Sequence, residues 1–154
     1  MNKIIIHFSY SPNNIFSWII RKVLKSEFSH SSIEIDGFIY ESAWGGVHIT
    51  EKEKWTKAHV VISLTLDVTP EEKRRLISKL NRHDDKPYGT LTLFGVLIYH
   101  AFSIKLFNDK NKSFTCSEYV YVALKKAEII HVKVLSPDYI TPPELFTILR
   151  MTCL

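Results

Sequence analysis

One of the chain's two cysteines stands where a thiol can act as a nucleophile. Thr115 and Glu118 have the spacing of a helix capping box, and apolar residues recur at helical spacing between positions 120 and 127. Cys116 is therefore predicted to be the first residue of a helix, where backbone amides and the helix dipole favour the thiolate and lower the pKa of the thiol. The same amides, with Ser117 beside them, can stabilise an oxyanion.

A structural role is the alternative for this thiol, because free cysteines are commonly small, buried hydrophobic residues. The other cysteine, Cys153, has no capping pattern around it and is predicted to be a bystander. Whether Cys116 acts chemically therefore depends on a base lying near it.

His30 is the best candidate for that base among seven histidines, because of its place in a predicted hairpin. Asp36-Gly37 favours a two-residue type I′ turn. The resulting register puts His30 and Glu41 on one face of the sheet as diagonal neighbours, with Cβ atoms within roughly 7–8 Å. Glu34 shares this face but lies about 13 Å from His30 along its own strand, at roughly 3.3 Å per residue.

The three residues together have the logic of a Cys-His-acid triad. Cys116 would be the nucleophile, His30 its base and Glu41 the group that orients the imidazole. Taken separately, His30 and Glu41 are equally compatible with ordinary strand positions. For the remaining histidines the sequence offers no partner acid at a defined spacing, and a structural or surface role is predicted for all six of them: His7, His48, His59, His83, His100 and His131.

Composition narrows the class of protein. A chain of 154 residues that is 45% hydrophobic predicts one domain over residues 1–154 with a full core. The net charge of +4 comes from basic residues interleaved with acidic ones, which argues against a nucleic-acid partner and leaves only weak attraction to anionic polymers or membrane surfaces. The sequence lacks H-E-x-x-H, C-x-x-C and clustered carboxylates, so neither a metal site nor a cofactor is expected.

The apolar runs are too short to cross a membrane. The longest, over residues 91–102, is interrupted by polar residues and falls short of roughly 20 spanning residues. The apolar run at positions 4–6 is too short for a signal peptide, and two cysteines form no disulfide framework. A cytoplasmic location is the expectation.

The elements that position these residues include both strands and helices. Strands are predicted at 3–8, 28–35, 38–43, 47–49 and 58–66, and helices from about 15 to 26, 70 to 81, 90 to 104, from 116 onward and after Pro142-Pro143. Polar loops are expected at 84–87 and 108–113. Since strands come mostly before helices, an α+β fold with an antiparallel sheet of about four to six strands is predicted.

In this order the residues resemble the permuted NlpC/P60 group of papain-like cysteine hydrolases. The similarity covers most of the chain, at positions 28–33, 40–43, 45–49, 86–89, 114–120 and 136–145. In ordinary members the cysteine helix precedes the histidine strand, whereas here His30 and Glu41 come first and Cys116 last. The resemblance implies the same triad roles, a permuted papain-like fold, and Tyr88 as a pocket residue near the oxyanion site.

Two departures bear on the substrate. Peptidoglycan-cleaving members usually have Asp before the cysteine and Gly two residues after it, where this chain has Thr115 and Glu118. Lipid acyltransferase relatives carry Asn-Cys-Glu-His-Phe, which residues 115–119 do not reproduce. The leading expectation is an amidase or peptidase acting on a peptide-like amide, such as a cell-wall peptide. The alternatives are an ester or thioester hydrolase acting on acyl lipids, and a peptide- or glycan-binding module without turnover.

Overall fold

The structure, a computed structural model, describes residues 2–82, 90–104 and 114–152, and all structural statements concern these residues. The elements in chain order are β1 (Asn2–Tyr10), α1 (Ile15–Leu24), β2 (His30–Ile35), β3 (Phe38–Ala43), β4 (Gly46–Glu51), α2 (Lys52–Thr56), β5 (Val60–Val68), α3 (Pro70–Asn81), α4 (Thr90–Phe102), α5 (Cys116–Lys126) and α6 (Pro142–Thr152). A 3-10 turn at Pro137–Tyr139 precedes α6.

The described strands form one antiparallel sheet in the order β4-β3-β2-β1-β5. The β2–β3 hairpin turns at Asp36 and Gly37, whose φ angles of 52° and 82° are both positive, as a type I′ turn requires. Ile35 pairs with Phe38 across this turn, so the predicted register is confirmed.

The two faces of the sheet differ in chemistry because side chains alternate along each strand. Ile4, Ile6 and Phe8 of β1 point to a face that forms one hydrophobic core with residues of α3, α5 and α6. The opposite face carries buried polar groups, including His7 and Glu34. The candidate site lies at one end of this polar face.

The α+β class and the antiparallel sheet of five strands agree with the prediction. The last helix, the helix from 116 and the capped helix from Pro70 are confirmed. Helix α2 was not predicted: it has only five residues, too few to show helical periodicity. The loops expected at 84–87 and 108–113 lie outside the described residues.

Helix α1 follows the predicted start at Asn14 but ends at Leu24, because Lys25 adopts a left-handed conformation with φ of 49°. Its buried positions are Ser17 and Ile20. Across the described part of the chain, no helix is both long enough and apolar enough to span a membrane.

Candidate active site

Helix α5 begins with the capping box that the sequence predicts. The Thr115 hydroxyl accepts a hydrogen bond from the Glu118 amide at 3.3 Å, and the Glu118 carboxylate accepts one from the Thr115 amide at 3.4 Å. Both residues are buried. Cys116 is thereby held as the first helical residue, with its sulfur at the positive end of the helix dipole.

Two hydrogen bonds fasten the start of α5 to the hairpin. Ser42 of β3 donates to the carbonyl of Phe114 at 3.0 Å, and the hydroxyls of Ser31 and Ser117 lie 3.1 Å apart. These bonds join residues more than seventy positions apart in the sequence. They bring Cys116, which is only 4% exposed, to the first residues of β2.

His30 connects Cys116 to Glu41. Its Nε2 lies 2.6 Å from Glu41 Oε2, and its side chain also interacts with the Cys116 thiol group closely enough for each to shift the pKa of the other. Since Nε2 faces the carboxylate, Nδ1 is the ring nitrogen left for the sulfur. The backbone amide of Ser31 also helps to lower the pKa of the thiol, and the Ser117 hydroxyl lies 3.8 Å from the sulfur.

Electrostatics favour charge separation between the thiol and the imidazole. Burial alone would lower the pKa of His30, but its hydrogen bonds with Cys116 and Glu41, and their negative charges, raise that pKa to about 10. Burial alone would raise the pKa of the Cys116 thiol, yet the hydrogen bond and charge of His30 lower it. Each group therefore favours the charged form of the other, which stabilises a thiolate–imidazolium pair.

Trp55 and His59 belong to the site and were not predicted from the sequence. The Trp55 indole donates to Glu41 Oε2 at 2.8 Å, and its ring stacks on His59 with centroids 4.2 Å apart. Burial would raise the pKa of Glu41, but its contacts with His30 and then Trp55 lower it. The four-residue spacing of Trp55 and His59 is the one sequence signal for this stacking. It becomes informative only once the short helix α2 is known.

A second histidine–acid pair on the same face corrects the prediction that His7 has no partner acid. His7 Nε2 lies 2.7 Å from Glu34 Oε2, and His7 Nδ1 lies 2.7 Å from the Ser63 hydroxyl. Lys52 donates to the other Glu34 oxygen at 2.9 Å. The acid comes from the neighbouring strand, two positions beyond the residue paired with His7, so spacing along the sequence could not reveal it.

This second pair has the residue types of a Ser-His-acid triad but not its setting. Ser63 lies within β5, and its backbone is paired with His7 of β1 in the sheet ladder. No helix begins at this serine, in contrast to the start of α5 at Cys116. The His7–Glu34 pair therefore lacks the amide-rich environment that an oxyanion needs.

A cleft of about 500 Å³ leads to the His30–Glu41 pair. Its walls come from α1, from the start of β2, and from the turn between β3 and β4, with His59 on one side. Phe16 and Trp44 line the cleft, and their stacked rings have centroids 6.0 Å apart. Substrate could approach the imidazole by this route.

The structure thus brings together Cys116, His30 and Glu41, with Ser117 beside the sulfur. Tyr88, predicted as a pocket residue, and Cys153, predicted as a bystander, lie outside the described residues. Within residues 2–82, 90–104 and 114–152, no group of three or more His, Cys, Asp or Glu side chains is arranged to hold a metal ion.

Comparison with solved structures finds a similar fold in the crystal structure of the metalloprotein YiiX from Escherichia coli O157:H7, described as DUF1105. The TM-score is 0.61, with 19% sequence identity over 84% of this chain and 68% of that chain. No protein-family model and no curated protein matches the sequence. At this level of identity the likeness concerns the fold alone.

Proposed function

We propose that the chain is a cysteine hydrolase of the amidase or peptidase type, with a permuted papain-like fold of the NlpC/P60 kind. The observation that supports this most strongly is the double contact of His30, with Cys116 on one side and Glu41 on the other. Cys116 is also the first residue of α5, where backbone amides and the positive end of the helix dipole favour its thiolate.

In this proposal the Cys116 thiolate attacks the carbonyl carbon of an amide, and the C=O electron pair moves onto the oxygen. First-turn amides of α5 stabilise that oxyanion. The imidazolium of His30 then gives its proton to the leaving nitrogen as the C–N bond breaks, which leaves a thioester on Cys116. Neutral His30 next takes a proton from water, the hydroxide displaces the sulfur, and the acid product leaves with the thiolate–imidazolium pair restored.

Glu41 remains ionised throughout this cycle, because its lowered pKa keeps it a carboxylate and its role is to hold His30 in one orientation. The name of YiiX as a metalloprotein raises the question of a metal here. The described residues do not offer a fitting ligand set, so each proton transfer is assigned to this chain's own side chains.

A peptide-like amide, such as a cell-wall peptide, is the leading substrate class. An acyl ester or thioester on a lipid is the second candidate, because the cleft to His30 is lined by Phe16 and Trp44, two large and exposed aromatic rings. The chemistry of the triad serves both classes of bond.

The test is turnover of muropeptides, acyl amides and thioesters by the purified chain and by Cys116→Ala, with Cys153→Ala as the matched cysteine control. We expect turnover of at least one class by the unmodified chain and by Cys153→Ala, and loss of it in Cys116→Ala. If the unmodified chain and Cys116→Ala bind a peptide or glycan equally and neither cleaves it, the chain is a binding module and the proposal fails.

A further inference from the structure

Helix α1 exposes more of its apolar side chains than a surface helix usually does. Such helices usually bury their apolar side chains and expose their polar ones. Here the small polar residue Ser17 is buried, with its hydroxyl 2.7 Å from that of Ser29. The apolar residues around it are exposed: Ile15 by 66%, Phe16 by 59% and Trp18 by 54%.

Trp44 extends this apolar surface beyond the helix. It lies in the turn between β3 and β4, is 73% exposed, and stacks on Phe16 at 6.0 Å. Together Ile15, Phe16, Trp18, Ile19 and Trp44 form what we call the α1 apolar surface. It adjoins the mouth of the cleft that leads to His30.

Positive charge follows directly along the same helix. Arg21 and Lys22 occupy its second half, Lys25 directly follows its last residue, and residues 11–26 contain no Asp or Glu. The Lys22 ammonium lies 5.9 Å from the centre of the Trp18 ring, so a cation stands against the edge of the apolar surface. Within the described parts of the chain, neither Lys22 nor Lys25 forms an ion pair.

A basic groove of about 510 Å³ continues from Trp18 along this side of the helix. Its lining includes Arg21, Lys22 and Lys25, together with one acid, Glu27. The buried Nε of Arg21 has no hydrogen-bond partner among the described residues, and its guanidinium stacks on the Tyr10 ring at 4.0 Å. Such a surface suits a bilayer interface. The apolar side chains suit the acyl chains, and the neighbouring cations suit the anionic headgroups above them.

We propose that the α1 apolar surface and the cations of α1 form a docking surface for an anionic lipid bilayer. Trp18, Phe16 and their neighbours enter the boundary between headgroups and acyl chains, while Lys22 and Lys25 contact the lipid phosphates. Tryptophan and lysine are the side chains that suit this boundary, since each has an apolar body and a polar end.

Docking in this orientation brings the mouth of the His30 cleft to the bilayer surface. The substrate would then be an amide or ester at headgroup depth in an acylated molecule, and this consequence rests on the proposed function of Cys116. The docking itself does not depend on the cysteine. Binding is therefore measured with Cys116→Ala, which leaves α1 and Trp44 unchanged.

The experiment compares sedimentation with vesicles made of phosphatidylglycerol and phosphatidylcholine in equal parts and with vesicles of phosphatidylcholine alone. We expect preferential binding to the anionic vesicles. Lys22→Gln/Lys25→Gln should weaken it by about fivefold for each lysine removed. Lys126→Gln/Lys133→Gln, which removes two exposed lysines elsewhere, is the control for net charge and should bind normally.

Ile15→Gln/Trp18→Gln tests the apolar part, because neither residue lines the cleft. We expect loss of vesicle binding, with normal binding by the control Ile49→Gln/Ile62→Gln, which changes exposed isoleucines on β4 and β5. Equal binding by Ile15→Gln/Trp18→Gln and the parent chain would overturn the proposal, as would absence of vesicle binding.

A different result would identify a polyanion site and would also overturn the proposal. In that case dextran sulfate would capture the chain, vesicles would not, and capture would depend on the lysines but not on Ile15 and Trp18. Failure of docking leaves thiol reactivity at Cys116 unaffected. Failure of the proposed function leaves vesicle binding intact. The two results are therefore distinguishable.

Discussion

Trp55 donates its indole N–H to Glu41 at 2.8 Å, and it does so to Oε2, the same carboxylate oxygen that lies 2.6 Å from His30. Glu41 is therefore held on one oxygen from two directions. The carboxylate cannot rotate away from the imidazole without breaking a buried hydrogen bond to tryptophan.

Trp55→Phe keeps an aromatic ring on α2 but removes this donor. We expect the free energy of unfolding to fall by about 1.5–3 kcal/mol, because the lost bond is to a buried charged group. Alkylation of Cys116 at neutral pH should also slow, since His30 is less firmly oriented. Urea denaturation and thiol labelling measure the two effects. Trp18→Phe, at an exposed tryptophan that does not line the cleft, should change neither, and equal effects in both variants would contradict this role for Trp55.

Glu41→Gln and Glu34→Gln form a matched pair, because both acids are buried on the same sheet face and each contacts one histidine. Loss of the negative charge at Glu41 lowers the pKa of His30 and weakens the imidazolium. We expect turnover by Glu41→Gln to fall about 10²- to 10⁴-fold, the range for general acid–base groups. Turnover by Glu34→Gln should stay within a few-fold of the parent. Equal losses would mean that Glu41 has no special relation to the reaction.

The labelling rate of Cys116 should depend on pH in a characteristic way. Only the thiolate reacts, so in Cys153→Ser, where Cys116 is the sole cysteine, we expect rapid alkylation to persist below the ordinary thiol pKa of 9.0. His30→Ala removes the charge that lowers this pKa, and burial then raises it. Its labelling at pH 6 to 7 should become slow and should rise only in alkaline solution. Identical pH profiles with and without His30 would disprove the thiolate–imidazolium pair.

Two capping boxes in the chain allow helix stability to be separated from site chemistry. Thr115→Ala and Thr69→Ala each remove an N-cap from a capping box, on α5 and α3 respectively. Each should lower the free energy of unfolding by about 1 kcal/mol. Thr115→Ala alone should also slow thiol labelling, because fraying of the first turn moves Cys116 away from His30. Unchanged labelling in Thr115→Ala would show that the cap does not position the sulfur.

The buried His7 should make the folded state less stable in acid. Burial lowers the pKa of His7 below 6.5, despite its hydrogen bond to the Glu34 carboxylate, so the unfolded chain binds this proton first as the pH falls. The contribution of His7 to stability should therefore be complete above pH 6.5 and should decrease as the pH falls below it, by at most about 1.4 kcal/mol per pH unit for one proton. Urea denaturation of His7→Gln at pH 7 and pH 5 should show a weaker dependence. His131→Gln, at an exposed histidine, should behave like the parent.

Local patterns in the sequence were sufficient wherever the physical cause is itself local. Asp36-Gly37 determines its own turn because both residues tolerate positive φ, and the turn then sets the register that places His30 and Glu41 on one face. The side chains of Thr115 and Glu118 likewise each accept a hydrogen bond from the other's backbone amide, within one helical turn. These short-range constraints made the cysteine helix and the histidine hairpin predictable.

Only the tertiary structure decided which residues surround these elements. The contact between His30 and Cys116 joins residues far apart in the chain, and it depends on core packing that presses α5 against β2 and β3. Trp55 reaches Glu41 from a five-residue helix, and His7 finds its acid on a neighbouring strand. The exposure of Trp18 has the same origin: helical periodicity shows which residues share a face, but the attachment of α1 through Ser17 and Ile20 determines which face meets solvent.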